Sequence, residues 1–423
     1  MTKSMITPLK FSGNTESKKR KLSLSKRLLL NLINNISIGR LTIRDSEEEI
    51  VLGQSGDRQE LSAEVIIHDH AIYRKMMMGG VLASGESYMD GDWDSSDLTL
   101  VTRLFSANLE TLEKMRHQHS FIPKAALTLR HFLNKNSIKG SKRNIAAHYD
   151  LGNSFFELFL DQRMMYSSAI FSKGATNIDD ASRDKLETIS GHLQLSSKDH
   201  LLEIGTGWGG MAIYAAEKFG CKVTTTTISK QQYKYTCDKV AELGLSEKIT
   251  VLLQDYRTLD GKFDKLVSIE MIEAVGDDFF GKYFSCCSDL LKPSGRMVIQ
   301  AITIPDQRYK AAVKTVDFIK RYIFPGGCLP SIGKIAYHVA NSTDMRITHI
   351  NDITEDYAST LAIWRNRFLS DLEKVKQQGF DQKFIRMWEF YLAYCEGGFR
   401  ERIIGAAQIC FDKPKFIPIP AVK

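Results

Sequence analysis

"HLLEIGTGWGGMAIYAAEKFG", residues 200–220, decides the fold of this 423-residue chain. Leu201, Leu202 and Ile204 form a short apolar run, as in a buried parallel strand. The glycines that follow allow a sharp turn and let backbone N–H groups approach a ligand closely. From residue 208 to 219 the apolar residues recur at helical spacing. The stretch therefore predicts the first strand, turn and helix of a nucleotide-binding α/β fold.

Two kinds of ligand must be weighed for such a turn, a dinucleotide and S-adenosylmethionine. Gly205, Gly207 and Gly210 satisfy the dinucleotide spacing G-x-G-x-x-G. That site also needs an acid at the end of the next strand to bind the ribose, but "CKVTTTTIS", residues 221–229, ends without one. Glu203 gives the form E-x-G-x-G-x-G, which is typical of S-adenosylmethionine methyltransferases. The glycine motif favours S-adenosylmethionine, although by itself it leaves open a nucleotide fold with another ligand or none.

Length and composition allow two domains and argue against several classes of protein. Hydrophobic residues make up 43% of the chain, and no stretch approaches the ~20 apolar residues that span a bilayer. The polar, basic N-terminus lacks the apolar core of a signal peptide. The seven cysteines are scattered, with no C-x-x-C pair and no metal-ligand spacing. We therefore expect a cytoplasmic protein with free thiols and no bound metal.

Much of the net charge of +7 lies in two basic stretches. "KKRKLSLSKRLLLNLIN", residues 18–34, runs into apolar residues and resembles an amphipathic helix at a membrane surface. "RHFLNKNSIKGSKR", residues 130–143, is the second. Each stretch could be a solvated face or a linker, or it could belong to a surface that contacts anionic lipid. Nothing resembles a nucleic-acid-binding module.

The chain divides into a small N-terminal unit and a larger α/β unit. We expect a disordered tail over residues 1–20, a small α+β domain over 21–125, a basic linker over 126–143 and the catalytic domain over 144–423. Strands of the catalytic domain are predicted at 200–204, 222–227, 249–253, 264–269 and 296–301, with a last strand in "IIGAAQICF". Helices are predicted at 208–219, 229–243 and 278–291, and residues 305–400 are expected to be mostly helical. This alternation indicates a doubly wound, mostly parallel sheet covered on both faces.

Several motifs in a fixed order resemble the cyclopropane-fatty-acyl-phospholipid synthase family. Beside "LLEIGTGWGG" and "TISKQQ" they are "HYDLGNSFFELFLDQRMMYSSAIF", "SIEMIEAVG", "YIFPGGCLPS" and "MWEFYLAYCEGGFR". The upstream "GESYMDGDW", residues 85–93, resembles the lipid-binding N-terminal domain of bacterial members. The resemblance covers roughly residues 30–412. It implies a class I methyltransferase fold with helical lid insertions beside a small lipid-binding α+β domain.

The resemblance implies transfer of a methylene from S-adenosylmethionine to a cis double bond in a phospholipid acyl chain. The alkene must meet the sulfonium methyl away from water, and attack leaves a carbocation. Electron-rich rings can stabilise that cation, and the aromatic residues of 148–171 and 387–399 suit such a pocket, although any single ring could simply belong to the core. A weak base then removes a proton from the new methyl, and the ring closes.

The cofactor residues implied by the resemblance lie in four motifs. Glu203, Gly205, Gly207 and Gly209 would pack the turn against the methionine part and ribose, whereas Gly210 would serve helix–sheet packing. The further contacts implied are Thr227, Ile228 and Gln232 after the second strand, Tyr256 and Arg257 after the third, and Tyr166 and Ser167 in a lid over the cofactor.

The resemblance also implies that the base is a bound bicarbonate. The positions that match its site are Ser168, Glu273, Gln300, the backbone of Ile302, and Tyr357. Ser168 stands where bacterial members have cysteine, and Gln300 stands where they have histidine. Because glutamine cannot become cationic, the anion site would have a weaker positive character.

Glu273 is the strongest single candidate for catalysis. It follows the fourth predicted strand at the carboxyl edge of the sheet, where it could hydrogen-bond bicarbonate or act as the base itself. Cys395 matches a family cysteine near the pocket, and we expect it to line that pocket, because methylation of an alkene needs no covalent thiol.

The resulting interpretation is a cytoplasmic enzyme at the inner face of the cell membrane, whose partners are the phospholipid surface and unsaturated acyl chains. Some family members are dimers, so a homodimer is also considered. The alternatives are a methyl- or methylene-branched product from the same cation, a methyltransferase for a small molecule unrelated to lipid, and a lipid-binding protein without activity. The glycine turn and Glu273 argue against the last of these.

Overall fold

The computed structural model describes residues 24–53, 58–112 and 151–418. The predicted tail over residues 1–20 and the predicted linker over 126–143 lie outside the described residues, as do the boundaries drawn at 125 and 143. We label strands β1–β11 and helices α1–α13 in chain order.

The N-terminal part contains a four-stranded sheet with three helices. Its strands are β1 (Arg40–Arg44), β2 (Glu49–Gly53), β3 (Ser62–Ile67) and β4 (Trp93–Asp94), and its helices are α1 (Leu24–Ile33), α2 (Ala71–Asp90) and α3 (Leu98–Ala107). The strand order is β2-β1-β3-β4, in which β1 and β3 are parallel and the other pairs are antiparallel. Apolar residues alternate along the strands, so that one face of the sheet is buried.

Helix α1 forms within the first basic stretch, but its apolar residues are mostly used internally. Leu29, Leu30 and Ile33 are buried in the core of the N-terminal part. Leu24 and Leu28 remain exposed. The apolar face that suggested a membrane-surface helix therefore packs largely against protein.

The larger part is built on a seven-stranded sheet. Its strands are β5 (His200–Ile204), β6 (Lys222–Thr227), β7 (Ile249–Leu253), β8 (Phe263–Ile269), β9 (Leu291–Thr303), β10 (Arg346–Asp352) and β11 (Gly405–Asp412). The helices between them are α4 (Asn153–Phe156), α5 (Ile178–Leu193), α6 (Gly210–Phe219), α7 (Lys230–Glu242), α8 (Phe280–Leu290), α9 (Asp306–Lys314), α10 (Ile332–Ser342), α11 (Thr354–Ser370), α12 (Leu372–Gln377) and α13 (Gln382–Arg400). In the described part of the chain, no helix is both long enough and apolar enough to cross a membrane.

The strand order β10-β11-β9-β8-β5-β6-β7 is that of a doubly wound sheet with an antiparallel edge. Neighbouring residues on the central strands face opposite sides: Leu202 and Leu266 belong to one core cluster, whereas Leu201 and Val267 belong to another. The order reverses between β5 and β8, and in such sheets ligands bind at the carboxyl ends of the strands at that point. The predicted fold class is confirmed.

The region predicted as mostly helical contains one exception. Residues 346–352 form β10, which pairs antiparallel with β11 at the edge of the sheet. The sequence "RITHIND" has no continuous apolar run, and the strand is mostly exposed or half-buried. The apolar pattern that reveals buried strands was therefore missing.

The two parts share one hydrophobic core through α13. This helix packs against α2 and α3, and one cluster of buried side chains includes Leu104 of α3 together with Trp364 and Trp388 of the larger part. Thr102 donates a hydrogen bond to the carbonyl oxygen of Ala393 at 2.8 Å. The N-terminal part is therefore attached directly to a helix of the larger part.

Candidate active site at the carboxyl edge of the sheet

The glycine turn after β5 has the geometry that only glycine accepts easily. Gly205, Gly207 and Gly209 have φ angles of 99°, 52° and 88°. A Cβ at Gly207 would meet no atom within 4 Å, so this part of the turn borders open space. The turn is fixed to the neighbouring strand, because the N–H groups of Gly205 and Thr206 both donate to the carbonyl oxygen of Thr226.

Gly209 and Gly210 serve close packing. A Cβ on Gly209 would lie 2.8 Å from a methyl carbon of Thr236 on α7. A Cβ on Gly210 would lie 2.3 Å from the sulfur of Met165. Gly210 thus allows the segment before α5 to approach the start of α6, and this corrects the prediction that it serves helix–sheet packing.

Trp208 joins the glycine turn to the lid. Its ring is buried, and its Nε1 donates to Oδ1 of Asn153 at the start of α4 at 2.8 Å. The ring of Phe156, also on α4, lies 5.0 Å away. The tryptophan therefore fastens the helix that precedes the lid segment to the turn.

Glu203 is buried at the end of β5, beneath the turn. Its Oε2 accepts a hydrogen bond from Oγ1 of Thr225 at 2.6 Å, and Thr225 contacts the hydroxyl of Thr206 at 2.7 Å. Burial raises the pKa of Glu203 to about 8, although the bond from Thr225 opposes the shift. The acid is neutral near pH 7 and tied to the second strand of the site.

The predicted contacts after β6 and β7 form local networks. Thr227 donates to Oε1 of Gln232 at 2.9 Å, and Ile228, between them in the chain, is half-buried. Arg257 makes a double hydrogen bond to Asp255, at 2.9 and 2.7 Å. The ring of Tyr256 packs edge-on against that of Tyr283 at 5.6 Å. The first network lies at the carboxyl end of β6, which neighbours β5, and the second lies at the carboxyl end of β7, one strand further along the sheet.

The centre of the site is a carboxylate that the sequence analysis missed, Glu270. It follows β8 directly, and its Oε1 accepts hydrogen bonds from the backbone N–H of Ser168 and from Nε2 of Gln300, both at 2.8 Å. Its Oε2 accepts a hydrogen bond from the hydroxyl of Tyr357 at 2.5 Å. Three of the five groups predicted to hold bicarbonate therefore bond to this side chain.

Glu273 lies close to Glu270 but in a different environment. Its Oε1 accepts the backbone N–H of Ile302 at 2.5 Å. Its Oε2 is buried, and no hydrogen-bond partner for it lies among the described residues. Burial, followed by the charge of Glu270, raises the pKa of Glu273 to about 8.

The two carboxyl groups differ in what stabilises their charged forms. Burial also raises the pKa of Glu270, but the bonds from Tyr357, Gln300 and Ser168 oppose this shift. Since three donors face Glu270 and one faces Glu273, the hydrogen bonds favour negative charge on Glu270 more than on Glu273.

Ser168 and Gln300 act differently from the prediction. The hydroxyl of Ser168 donates to the carbonyl oxygen of Ala169, so the backbone of Ser168, rather than its side chain, faces the carboxylate. Gln300 is buried and donates from one amide nitrogen to both Glu270 and the carbonyl oxygen of Ser168, while its own oxygen accepts from Gln408. Gln300 therefore links Glu270, the backbone of Ser168 and Gln408 through hydrogen bonds.

Aromatic residues of the lid and of two helices surround the carboxylates. The hydroxyls of Tyr166 and Tyr391 lie 2.9 Å apart. Tyr166 also packs against Trp364 at 5.3 Å, and Tyr357 stacks on Phe399 at 4.4 Å.

Cys395 lies on α13, four residues from Tyr391, and is half-buried. It packs against the core cluster that contains these rings. Burial raises the pKa of its thiol, which keeps the thiol neutral. The group suits a lining role rather than a nucleophile.

A second missed residue is Lys185 on α5. It is fully buried, donates to Oγ of Ser167 at 2.8 Å, and has its pKa lowered by burial to about 8. The charges of Asp161 and Glu270 oppose this shift, which places Lys185 within electrostatic reach of the site.

Both missed residues had a signal in the sequence. Lys185 occurs at helical spacing with the apolar Ala181 and Ile189, so it belongs to the buried face of α5. Glu270 stands directly at the end of the predicted strand, three residues before Glu273, at the edge where ligands bind.

Comparisons with known proteins show which proteins this chain resembles in sequence. A family model described as mycolic acid cyclopropane synthetase matches residues 136–409. A tuberculostearic acid methyltransferase of Mycobacterium tuberculosis is 38% identical over 345 residues, which cover 80% of this chain and 80% of that relative. The cyclopropane-fatty-acyl-phospholipid synthase of Escherichia coli K12 is 34% identical over 352 residues, which cover 83% and 88%.

Among solved structures, the mycolic acid cyclopropane synthase CmaA1, complexed with SAH and CTAB, superposes with a TM-score of 0.60 at 29% identity. The match covers 64% of this chain and 98% of that one. The predicted family and cofactor are thereby confirmed. The chain belongs to the cyclopropane synthase family and is an S-adenosylmethionine-dependent methyltransferase.

Proposed function

We propose that this enzyme transfers the methyl carbon of S-adenosylmethionine to a cis double bond in a phospholipid acyl chain and closes a cyclopropane ring. The observation that carries the proposal is the half-buried pair Glu270 and Glu273, which adjoins a cluster of aromatic rings through Tyr357 at the same edge of the sheet as the glycine turn. Such a site offers a base, and surroundings suited to a cation, away from water.

The residues near the turn fit S-adenosylmethionine, because the open space beside Gly207 leaves room where a side chain would stand. When bound, the cofactor supplies an electrophilic methyl carbon. The proposed contacts are Glu203, Gly205, Gly207, Gly209, Thr227, Ile228, Gln232, Tyr256 and Arg257, with Tyr166 and Ser167 from the lid. Trp208 keeps the start of the lid against this turn through its bond to Asn153.

The rings around the carboxylates would stabilise the substrate cation. Alkene π electrons would form the new C–C bond to the methyl carbon as its C–S bond breaks, so that S-adenosylhomocysteine leaves and the neighbouring alkene carbon becomes positive. The faces and hydroxyls of Tyr166 and Tyr357, with Trp364 behind them, present negative electrostatic potential to such a charge. Removal of a proton from the added carbon then lets its C–H electron pair close the ring.

A branched acyl chain is a second candidate product. The tuberculostearic acid methyltransferase among the relatives supports it. The same cation gives a methylene branch if a hydride first shifts from the methyl-bearing carbon to the positive carbon and the added methyl then loses a proton. A methyl branch needs a further step, in which a separate hydride donor reduces that double bond. The order of hydride shift and proton removal decides between the ring and the branch.

The proposed location is the inner face of the cell membrane, to which the enzyme binds peripherally. Leu24 and Leu28 on α1 and Met78 and Val81 on α2 are exposed, and the two helices pack against each other. These apolar side chains support contact with lipid. Co-sedimentation with anionic vesicles at low salt tests this placement, and failure to bind would favour a substrate unrelated to lipid. A homodimer stays a prediction.

Lipid analysis after expression tests the reaction. In a host with cis-unsaturated phospholipids, we expect acyl chains that have gained one CH₂, with NMR signals of cyclopropane protons. The variant Gly207→Val fills the space beside the turn and should abolish the product; because valine is strained at a φ angle of 52°, circular dichroism must first show that the variant is folded. Branch signals in place of ring signals would support the second candidate, and unchanged lipids with well-folded, cofactor-binding protein would contradict both.

A further inference from the structure

The groups expected to hold a bicarbonate are already occupied by a side chain. The N–H of Ser168, the amide of Gln300 and the hydroxyl of Tyr357 all donate to the carboxylate of Glu270, over 2.5 to 2.8 Å. A carboxylate and a bicarbonate present the same pair of oxygens to hydrogen-bond donors. The residues present therefore do not fit an additional bicarbonate at these donors.

The backbone at Glu270 gives an independent sign that its placement matters. Its φ angle is 48°, in the left-handed region that residues with side chains rarely adopt. Such conformations cluster at functional sites, where the surrounding structure holds them. Here the N–H of Glu270 is held by the carbonyl oxygen of Gln300 at 2.7 Å, on the same residue whose amide bonds to the carboxylate.

The groups around Glu270 stabilise the charged form of its carboxylate, which is the form that can accept a proton. It receives three hydrogen bonds, and the buried cation Lys185 attracts its negative charge. Glu273, which holds a proton near neutral pH, does not compete for that role. Of the two carboxyl groups, Glu270 is therefore the one whose charged form the surrounding donors stabilise and orient more strongly.

We propose that the carboxylate of Glu270 is the general base of the reaction and stands in the place of bicarbonate. This inference rests on the proposed function. An oxygen of Glu270 takes a proton from the carbon that the substrate has gained, and the C–H electron pair forms the closing C–C bond. Glu270 becomes a neutral acid and later returns its proton to water, so no further reactant is needed. The enzyme then works without bicarbonate.

Removal of the side chain tests this directly. Glu270→Gly suits the test because glycine accepts a φ angle of 48° without strain, and because it leaves the three donors facing an empty space. In buffer freed of carbon dioxide, we expect the wild type to keep its full rate and Glu270→Gly to lose about 100-fold or more. Millimolar bicarbonate should restore a large part of the lost rate to the glycine variant and change nothing in the wild type.

The variant Glu270→Gln provides the sterically filled counterpart. Its amide occupies the space but cannot accept the proton, so its rate should fall as far and bicarbonate should not restore it. Glu373→Gln, an exposed acid on α12, is the matched surface control and should keep the wild-type rate.

A binding measurement separates the base from the rest of the reaction. Bicarbonate should raise the melting temperature of Glu270→Gly by roughly 2 °C, because the opened site binds the ion, and should leave wild type and Glu270→Gln unchanged. Sodium chloride at equal ionic strength is the reference.

Two results would overturn the inference: a wild type that stops when bicarbonate is removed, or a Glu270→Gly variant that keeps its rate without the ion. Each presupposes that the wild type modifies lipid. A wild type that binds S-adenosylmethionine but modifies no lipid in any buffer contradicts the proposed function instead.

Discussion

Two buried clusters of charge in this molecule are built in opposite ways. In the N-terminal part, Asp45 is 1% exposed and accepts hydrogen bonds from Lys26 at 2.6 Å and Tyr73 at 2.9 Å. Burial alone would raise its pKa, but these bonds and the N–H of Glu47 lower it to about 2. At the carboxyl edge of the large sheet, Glu270 and Glu273 lie close together with different hydrogen-bond partners, and burial raises the pKa of each.

The difference lies in what compensates the charge. Asp45 has an ammonium group in direct contact, so it stays ionised and contributes to stability. The two glutamates have neutral donors in contact, and the nearest buried cation, Lys185, bonds to Ser167 instead. A cation in direct contact keeps a carboxylate ionised. Neutral hydrogen-bond donors orient a carboxylate but still allow it to take a proton.

The largest expected effect on stability comes from removing the cation beside Asp45, so that this carboxylate, like Glu270, has only neutral donors in direct contact. Lys26→Met removes the buried cation and keeps an apolar stem, which leaves Asp45 and Glu48 without their ammonium partner. We expect the free energy of unfolding at pH 7 to fall by about 3 kcal/mol. The loss should shrink below pH 5, because Asp45 without its cation can be protonated in the folded state. Denaturant unfolding at several pH values measures it.

The control for this change is Lys239→Met, since Lys239 forms an exposed pair with Glu242 on α7. Because both groups are exposed to solvent, that variant should leave the free energy of unfolding close to the wild-type value. A Lys26→Met variant as stable as this control would show that the ammonium group contributes little to the N-terminal part.

An intermediate effect on the free energy of unfolding is expected from Glu273→Gln, which leaves Glu270 as the remaining carboxyl group of the pair. The folded wild type holds the proton of Glu273 up to about pH 8, whereas the ordinary pKa is 4.5, so unfolding releases it between these values. Stability of the wild type therefore falls as pH rises across this window, by at most about 1.4 kcal/mol per pH unit. The glutamine variant lacks this contribution and should gain stability relative to wild type between pH 5 and 8.

Thermal unfolding of both proteins across that range measures the difference. Because glutamine resembles the neutral acid and can still accept the N–H of Ile302, kcat should fall less than tenfold, far less than for Glu270→Gln. Parallel stability curves would mean that Glu273 is ionised in the folded protein, and the assignment of the charge to Glu270 would fail.

The smallest effect is expected where the two parts meet. The carboxylate of Glu401 is 3% exposed and contacts two cations, Arg58 at 2.5 Å and Arg103 at 2.8 Å. Arg58→Ala leaves one of them in place, and Arg58 is partly exposed, so we expect a loss of about 1 kcal/mol in unfolding free energy. Arg402→Ala, whose partners are exposed, should lose less than half as much in the same measurement.

The sequence predicts the centre of the fold better than its edge. The interior strands expected at residues 200–204 and 222–227 occur with those bounds, because buried parallel strands are short apolar or β-branched runs between turns and helices. The strand at residues 346–352 was missed, because an edge strand with exposed side chains has no such pattern. The antiparallel partner 405–412 was anticipated from its apolar run.

For the site, the sequence indicates which residues gather but not how they bond. Ser168, Gln300 and Tyr357 come from a lid, a strand and a helix that are far apart in the chain, and the resemblance predicted that they share one ligand. That the shared partner is Glu270 depends on a backbone angle of 48° after β8, which no pattern of residue types encodes. Lys185 was missed because its neighbours in the sequence are mostly polar, although helical spacing places it inside.

Helix α13 has a consequence for how this molecule can change over evolutionary time. It carries Tyr391, which contacts the lid, and six residues later Gly397, where a Cβ would stand 2.3 Å from a hydroxyl of α3. Each inserted or deleted residue would turn one contact by about 100° and shift it by about 1.5 Å relative to the other. The number of residues between Tyr391 and Gly397 on α13 is therefore constrained by both contacts. Side chains of the lid and of the N-terminal part can diverge, but an insertion or deletion between these two positions would break one of the contacts.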